Sequence, residues 1–148
     1  MGLEAKIQKD LITAMKAKDE KTLRAVRAIK SAILLFKTSG THAELDEDTE
    51  IKMLQKMVKQ RKESLSIFEQ QGREALAQTE REEIEVIEQY LPQQLGEDEI
   101  EAVVKTIIGD MGATGMKDMG KVMGAANKQF AGRAEGAVIS GIVKRLLA

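Results

Sequence analysis

Leu65-Ser66-Ile67-Phe68-Glu69-Gln70-Gln71-Gly72-Arg73-Glu74-Ala75-Leu76 is where two long helical patterns meet. Upstream, from about Thr49 to Gln71, Leu54, Val58, Leu65 and Phe68 recur on one face of a helix, with Lys52, Lys56 and Lys59 on the opposite face. Downstream, from about Arg73 to Tyr90, Leu76, Ile84, Ile87 and Leu91 form a second apolar stripe. Gly72 supplies a left-handed turn between them. Each stripe contains a misfit: Arg61 in the first, Glu80 and Glu83 in the second. Folding at Gly72 into an antiparallel hairpin sets Phe68 beside Leu76, Met57 beside Ile87, Leu54 near Tyr90 and Arg61 opposite Glu83. The expectation is an interhelix ion pair from Arg61 to Glu83 or Glu80, because a buried charge is tolerated only when paired.

The same period extends in both directions. Leu3, Ile7, Leu11, Ile12 and Met15 predict a first helix over 3–17. Asp19 is an N-cap for a second helix carrying Leu23, Val26, Ile29, Ile33 and Phe36, ended by Thr38-Ser39-Gly40-Thr41. The acidic run from Glu44 to Asp48 reads as a loop that feeds the third helix, whose N-terminus favours negative charge. Pro92 stops the fourth helix, since the residue before proline is pushed out of the α region. Three further helices are expected over about 97–111, 116–130 and 135–147, the last ending on Lys144 and Arg145. No run alternates with period two. The reading is an all-α chain with a four-helix domain over 1–92 and a three-helix domain over 93–148.

Composition narrows the chemistry. The chain has 148 residues, and Phe36, Phe68, Phe130 and Tyr90 are all its aromatics, so the core is aliphatic and stacking on single-stranded bases is not expected. There is no cysteine, which excludes disulfides and thiolate chemistry. The longest apolar run, Ile33-Leu34-Leu35-Phe36, is far too short to span a bilayer. No membrane partner is expected, and a cytoplasmic location is the simplest reading. The net charge of −1 gives the whole molecule no field to draw nucleic acid, and no DNA partner is expected. The distribution is uneven, however. Residues 1–40 hold nine Lys/Arg against four Asp/Glu, and residues 73–90 hold two against six, a pattern that suits helices pairing with one another.

No catalytic group is expected. His42 stands alone in a loop, so no metal site is assigned. The serines lack a nucleophile-elbow context, and no cofactor motif is present. Gly112 and Gly115 read as a turn rather than an anion nest, since no Gly-Lys-Ser/Thr ending follows. Gly120-x-x-x-Gly124 reads as a site of close helix packing. The Lys52/Lys56/Lys59 stripe reads as a solvated face, and the stems of Arg27 and Lys30 as cover for the core. The candidate nucleic-acid contacts are Lys117, Lys121, Lys128, Arg133, Lys144 and Arg145, a cationic surface if the last two helices present them on one side.

The chain resembles the YqeY family, and its last part resembles the tail domain of GatB, the tRNA-handling subunit of glutamine-dependent aminoacyl-tRNA amidotransferase. The residues that carry the likeness are Lys59-Gln60-Arg61-Lys62-Glu63-Ser64, Gly72-Arg73, Glu88-Gln89-Tyr90-Leu91-Pro92-Gln93-Gln94-Leu95, Met119-Gly120-Lys121-Val122-Met123 and Gly132-Arg133-Ala134-Glu135-Gly136. Glu135 stands where many relatives carry Asp. The resemblance implies an N-terminal four-helix bundle followed by a C-terminal three-helix bundle. It also implies a role near tRNA without chemistry of its own. The carbon–nitrogen ligase activity with glutamine as amido donor belongs to the larger protein, for which this chain is too short. By the same resemblance Lys121 and Arg133 are first candidates for phosphate contact, while Gly120, Gly132 and Gly136 shape loops and helix approach. tRNA is the implied partner. Docking on an aminoacyl-tRNA synthetase or amidotransferase is the alternative.

Overall fold

The computed structural model of the protein describes residues 2–40 and 45–148; His42, with its neighbours Thr41 and Glu44, lies outside the described residues. Among the described residues there are seven α-helices and no strand: α1 (Leu3–Ala17), α2 (Glu20–Thr38), α3 (Glu47–Gln70), α4 (Glu74–Glu88), α5 (Glu97–Met111), α6 (Met119–Gln129) and α7 (Gly136–Leu147). They divide into two compact units, 1–91 and 92–148.

In the first unit α1 packs on α2, α2 on α4, and α3 on α4. One cluster joins Leu3, Ile7, Val26, Ile29, Ile33, Leu54, Val58, Ile84 and Ile87, with Tyr90 and Leu91 against it. Helix ends are closed by specific groups. Asp19 accepts from the Thr22 N–H at 3.1 Å, and Asp46 from the Thr49 N–H at 2.8 Å. These bonds hold both carboxyls below the usual carboxylate range, the Thr22 and Thr49 side chains contributing first. The Leu3 N–H at the start of α1 instead donates to Glu50 of α3 at 3.3 Å. Lys18 ends α1 with φ of 56°, a left-handed conformation that costs a non-glycine residue about 1–2 kcal/mol.

Gly72 turns the hairpin with φ of 70°. The Gly72 N–H donates to Glu69 O and the Arg73 N–H to Phe68 O, at 3.1 and 2.9 Å, which satisfies the last carbonyls of α3. Arg61 and Glu83 are both mostly buried, and Arg61 Nε donates to Glu83 Oε2 at 2.9 Å. Glu80 has an oxygen buried with no hydrogen-bond partner among the described residues. Burial first, and the Glu83 charge second, push its carboxyl above the ordinary value.

α4 ends at Glu88, earlier than a stop at Pro92 requires. Gln89, Tyr90 and Leu91 bond three residues back, to Val86, Ile87 and Glu88, so the chain tightens before the proline is reached. The second unit packs α5, α6 and α7 on one another around Ile100, Val104, Val122, Ala126, Phe130, Ile139 and Val143. α6 is shorter than the sequence pattern predicts. Met116–Asp118 form a 3-10 turn first, because the Asp118 carboxylate accepts from the Thr114 N–H at 3.0 Å and draws the entry tight.

Candidate functional site

The Leu-Pro-Gln-Gln-Leu segment and the Gly-Arg-Ala-Glu-Gly segment are bound to each other within the second unit. Gln94 Nε2 donates to the carbonyls of Pro92 and Gly132, at 2.8 and 2.7 Å. The Leu95 N–H donates to Arg133 O at 2.9 Å, and Arg133 Nε reaches Gln93 O at 3.5 Å. Gly132 has φ of 74°, so the loop after α6 needs a residue without a Cβ there. Glu135 then starts α7, its carbonyl accepting from the N–H groups of Val138 and Ile139. Two segments that look like separate sites in the sequence thus form one clamp. Preceding it, Tyr90 belongs to the first unit, where its hydroxyl donates to Asp10 of α1. Burial and that bond push the phenol pKa above its ordinary value.

Charge is segregated in the second unit. α5 holds five acidic residues and one lysine, whereas residues 112–148 hold six basic and two acidic ones. Those six are the candidate contacts, and all six are exposed. Lys121 and Lys128 stand two turns apart on the outer face of α6, and Lys117 sits in the 3-10 turn just ahead. None of these three makes an ion pair among the described residues. Arg133 is exposed but tied to the clamp. Arg145 leans away, donating to Glu101 of α5 at 3.4 Å, and Glu101 also pairs with Lys105 at 3.5 Å. Lys144, one position before Arg145 on α7, is exposed and makes no ion pair among the described residues. Lys121 and Lys128 thus share one face of α6 with Lys117 just ahead of it, while Lys144 is exposed on α7 and Arg145 pairs with Glu101.

The glycines differ from expectation. Gly120 and Gly124 do not bring α6 against a neighbouring helix. Both are exposed, and a Cβ at either would meet open space. Val122 and Ala126, on the opposite face, make the packing contact instead. Gly136 likewise meets open space at the start of α7. The loop of Gly112 and Gly115 is, as expected, a turn, with Gly112 left-handed at φ of 63°. Backbone hydrogen bonds from Thr114 and Gly115 go to Asp118 and hold that carboxyl below its usual range, Thr114 contributing first. Among the described residues no group of three or more His, Asp or Glu is placed to hold a metal ion. Among the described residues no helix is long and apolar enough to cross a membrane.

The sequence model of the Yqey-like protein family matches residues 4–147. Among curated proteins the chain is similar to altered inheritance of mitochondria protein 41, mitochondrial. It is 30% identical to that of Pyrenophora tritici-repentis, over 87% of this chain and 71% of the relative. It is 33% identical to that of Lachancea thermotolerans and 31% identical to that of Vanderwaltozyma polyspora, over 72% and 76% of this chain. The matches span 58% and 64% of those two relatives. These names overturn the cytoplasmic placement, since the relatives are named as mitochondrial proteins. A cysteine-free, span-free composition suits any aqueous, reducing compartment, an organelle's interior included, so it carried no address. With nearly its full length matched by the family's sequence model, the chain belongs to the YqeY family.

Proposed function

We propose that the protein is a non-catalytic helical module that binds tRNA, or works beside a tRNA enzyme, with its C-terminal three-helix bundle as the RNA-facing domain and its N-terminal four-helix bundle as a second domain. The observation that carries this reading is the outer face of α6. Lys121 and Lys128 flank exposed Gly124, with Lys117 and Gly120 alongside; among the described residues no ion pair is made to these lysines, the nearby Asp118 carboxylate being held first by the Thr114 N–H. Glycine inside a helix costs about 1 kcal/mol relative to alanine, and here no internal contact offsets that cost. A low, cationic helix surface suits a folded RNA read through its backbone and shape, and needs no aromatic platform. The likeness of this region to the amidotransferase tail domain points the same way.

The test is retention of total tRNA by the full chain across a salt series. Binding should weaken steeply with salt, and Lys121→Glu with Lys128→Glu should lower the salt slope by about one for each phosphate that is no longer neutralised. No retention at low salt, or retention unchanged by both substitutions, rejects the proposal. The alternative is an adaptor docking on an aminoacyl-tRNA synthetase or amidotransferase. Exposed Ile67 and Leu76, at the turn of the α3–α4 hairpin, favour it. A partner recovered after nuclease treatment, and lost on Ile67→Ser with Leu76→Ser, would decide for it.

A further inference from the structure

The α1–α2 hairpin has an outer face that the fold does not use. Leu3, Ile7, Leu11 and Ala14 turn α1 toward the core, which leaves Ala5, Lys9, Ile12 and Lys16 on the opposite side. On α2 the core takes Leu23, Val26, Ile29 and Ile33, and the opposite side carries Arg27, Ser31, Leu34 and Thr38, with Leu35 one position round. Lys37 bonds Glu4 at 2.6 Å, so the two helices lie antiparallel. Arg24, on the other flank of α2, bonds Glu82 of α4 at 2.7 Å. Both outer stripes therefore point away from the shared core, side by side.

That face is apolar and cationic at once. Leu34 and Leu35 are 62% and 72% exposed, and Ile12 and Met15 are 45% and 54% exposed. Of the nine basic residues in 1–40, Lys21, Arg24 and Lys37 are taken up by ion pairs with Glu85, Glu82 and Glu4. The other six make none among the described residues, and three of them, Lys9, Lys16 and Arg27, stand on the outer stripes. The acids nearby are engaged elsewhere, apart from Glu20: Asp10 accepts from Tyr90 and Asp19 caps α2.

We propose that this face docks on the surface of a bilayer containing anionic lipid. Exposed leucines gain from an acyl boundary, and flexible lysine stems reach up to headgroup phosphates from around them. A hydrated RNA backbone offers the lysines a partner but gives Leu34 and Leu35 nothing. Docking of this kind needs no spanning helix; the face lies in the interface. It involves the first unit alone and does not depend on the tRNA reading.

The experiment is flotation of the full chain with phosphatidylcholine vesicles, with and without phosphatidylglycerol, at low and physiological salt. The chain should float with the anionic vesicles and stay behind with the neutral ones. Each cation near such a surface strengthens partition about fivefold, so Lys9→Glu, Lys16→Glu and Arg27→Glu together should weaken it on the order of a hundredfold or more. Leu34→Ser with Leu35→Ser keeps every charge and should also release the chain. Unchanged helicity and Tm show that both variants fold, since every substituted position is exposed. Three results overturn the proposal. The first is no flotation with anionic vesicles at low salt. The second is flotation of the leucine variant equal to that of the parent, which reduces the effect to plain charge attraction. The third is loss of tRNA retention, rather than of flotation, in the charge variant, which makes the face an RNA surface.

Discussion

The two units treat charge in opposite ways. In the first, α4 is strongly acidic, and its carboxylates are answered from other helices: Glu82 by Arg24, Glu85 by Lys21, Glu83 by Arg61, and Glu88 by Lys62 at 4.0 Å. Around the hairpin turn Arg81 gathers Glu74 and Glu69, at 2.6 and 3.3 Å. In the second unit five of the seven acids sit on α5, where Glu101 pairs with Lys105 and Arg145, and among the described residues no ion pair joins an acid to Lys121 or Lys128 of α6. Exposed pairs add little to stability, so the pairing in the first unit mainly sets which helix lies beside which. The contrast is between a helix, α4, whose charges are met by neighbouring helices and a helix, α6, whose lysines form no ion pair among the described residues.

The largest expected effect tests whether the units stand alone. Phe130 is the largest side chain buried in the second unit. Phe130→Ala should cost about 3–5 kcal/mol and unfold that unit first. Hydrogen exchange resolved along the chain should show lost protection in α5, α6 and α7, with α1 to α4 still protected. Equal loss in both units would merge them into one cooperative block.

Next is the mostly buried pair. Arg61→Ala should cost about 2 kcal/mol, because Glu83 keeps its burial and loses its donor. A thermal double-mutant cycle with Glu83→Ala should show coupling above about 0.5 kcal/mol. Additivity would mean the hairpin register does not depend on the pair. Cutting the clamp is expected to cost less. Gln94→Ala removes two side-chain donations, to Pro92 O and Gly132 O, and should destabilise the second unit by about 1–2 kcal/mol. A Tm unchanged within error would show that the backbone bond from Leu95 suffices.

How much of this was legible differs by the distance along the chain. The hairpin was readable because one glycine and two apolar stripes define a register, and that register sets Arg61 opposite Glu83, where the structure has the ion pair. The bounds of α5 were readable from its acidic first turn and from Gly112, which ends it with φ of 63°. The clamp was not, because Gln94 and Gly132 are 38 residues apart and no periodicity links them. Tyr90 and Asp10, 80 residues apart, are the same case. The glycines of α6 misled for another reason. Spacing of four places Gly120 and Gly124 on one face but cannot say whether that face is turned inward. Val122 and Ala126 occupy the inward face, so the glycines are outside.

A stabilising substitution comes next, with its sign set by protonation. Glu80 lies in the apolar stripe of α4, and its pKa is raised by burial first. The penalty of keeping it ionised is therefore present at neutral pH, shrinks as pH falls through the raised value, and is gone below the ordinary glutamate value. Glu80→Met should raise Tm at pH 7, and its advantage over the parent should narrow on acidification. A constant difference across pH would place the effect in packing, not charge.

The smallest change in stability is the one that bears most on function. Gly124 has no positive φ, and a Cβ there meets open space, so alanine fits the helix as it stands. Gly124→Ala should stabilise the second unit by about 1 kcal/mol through backbone entropy alone. If the glycine exists to let an RNA backbone lie close between Lys121 and Lys128, the same substitution should weaken tRNA retention with both lysines intact. Stability and binding would then move in opposite directions on adding one methyl group, a result that electrostatics alone does not produce. If stability rises and retention stays level, the lysines act at a distance and the surface relief of α6 plays no part.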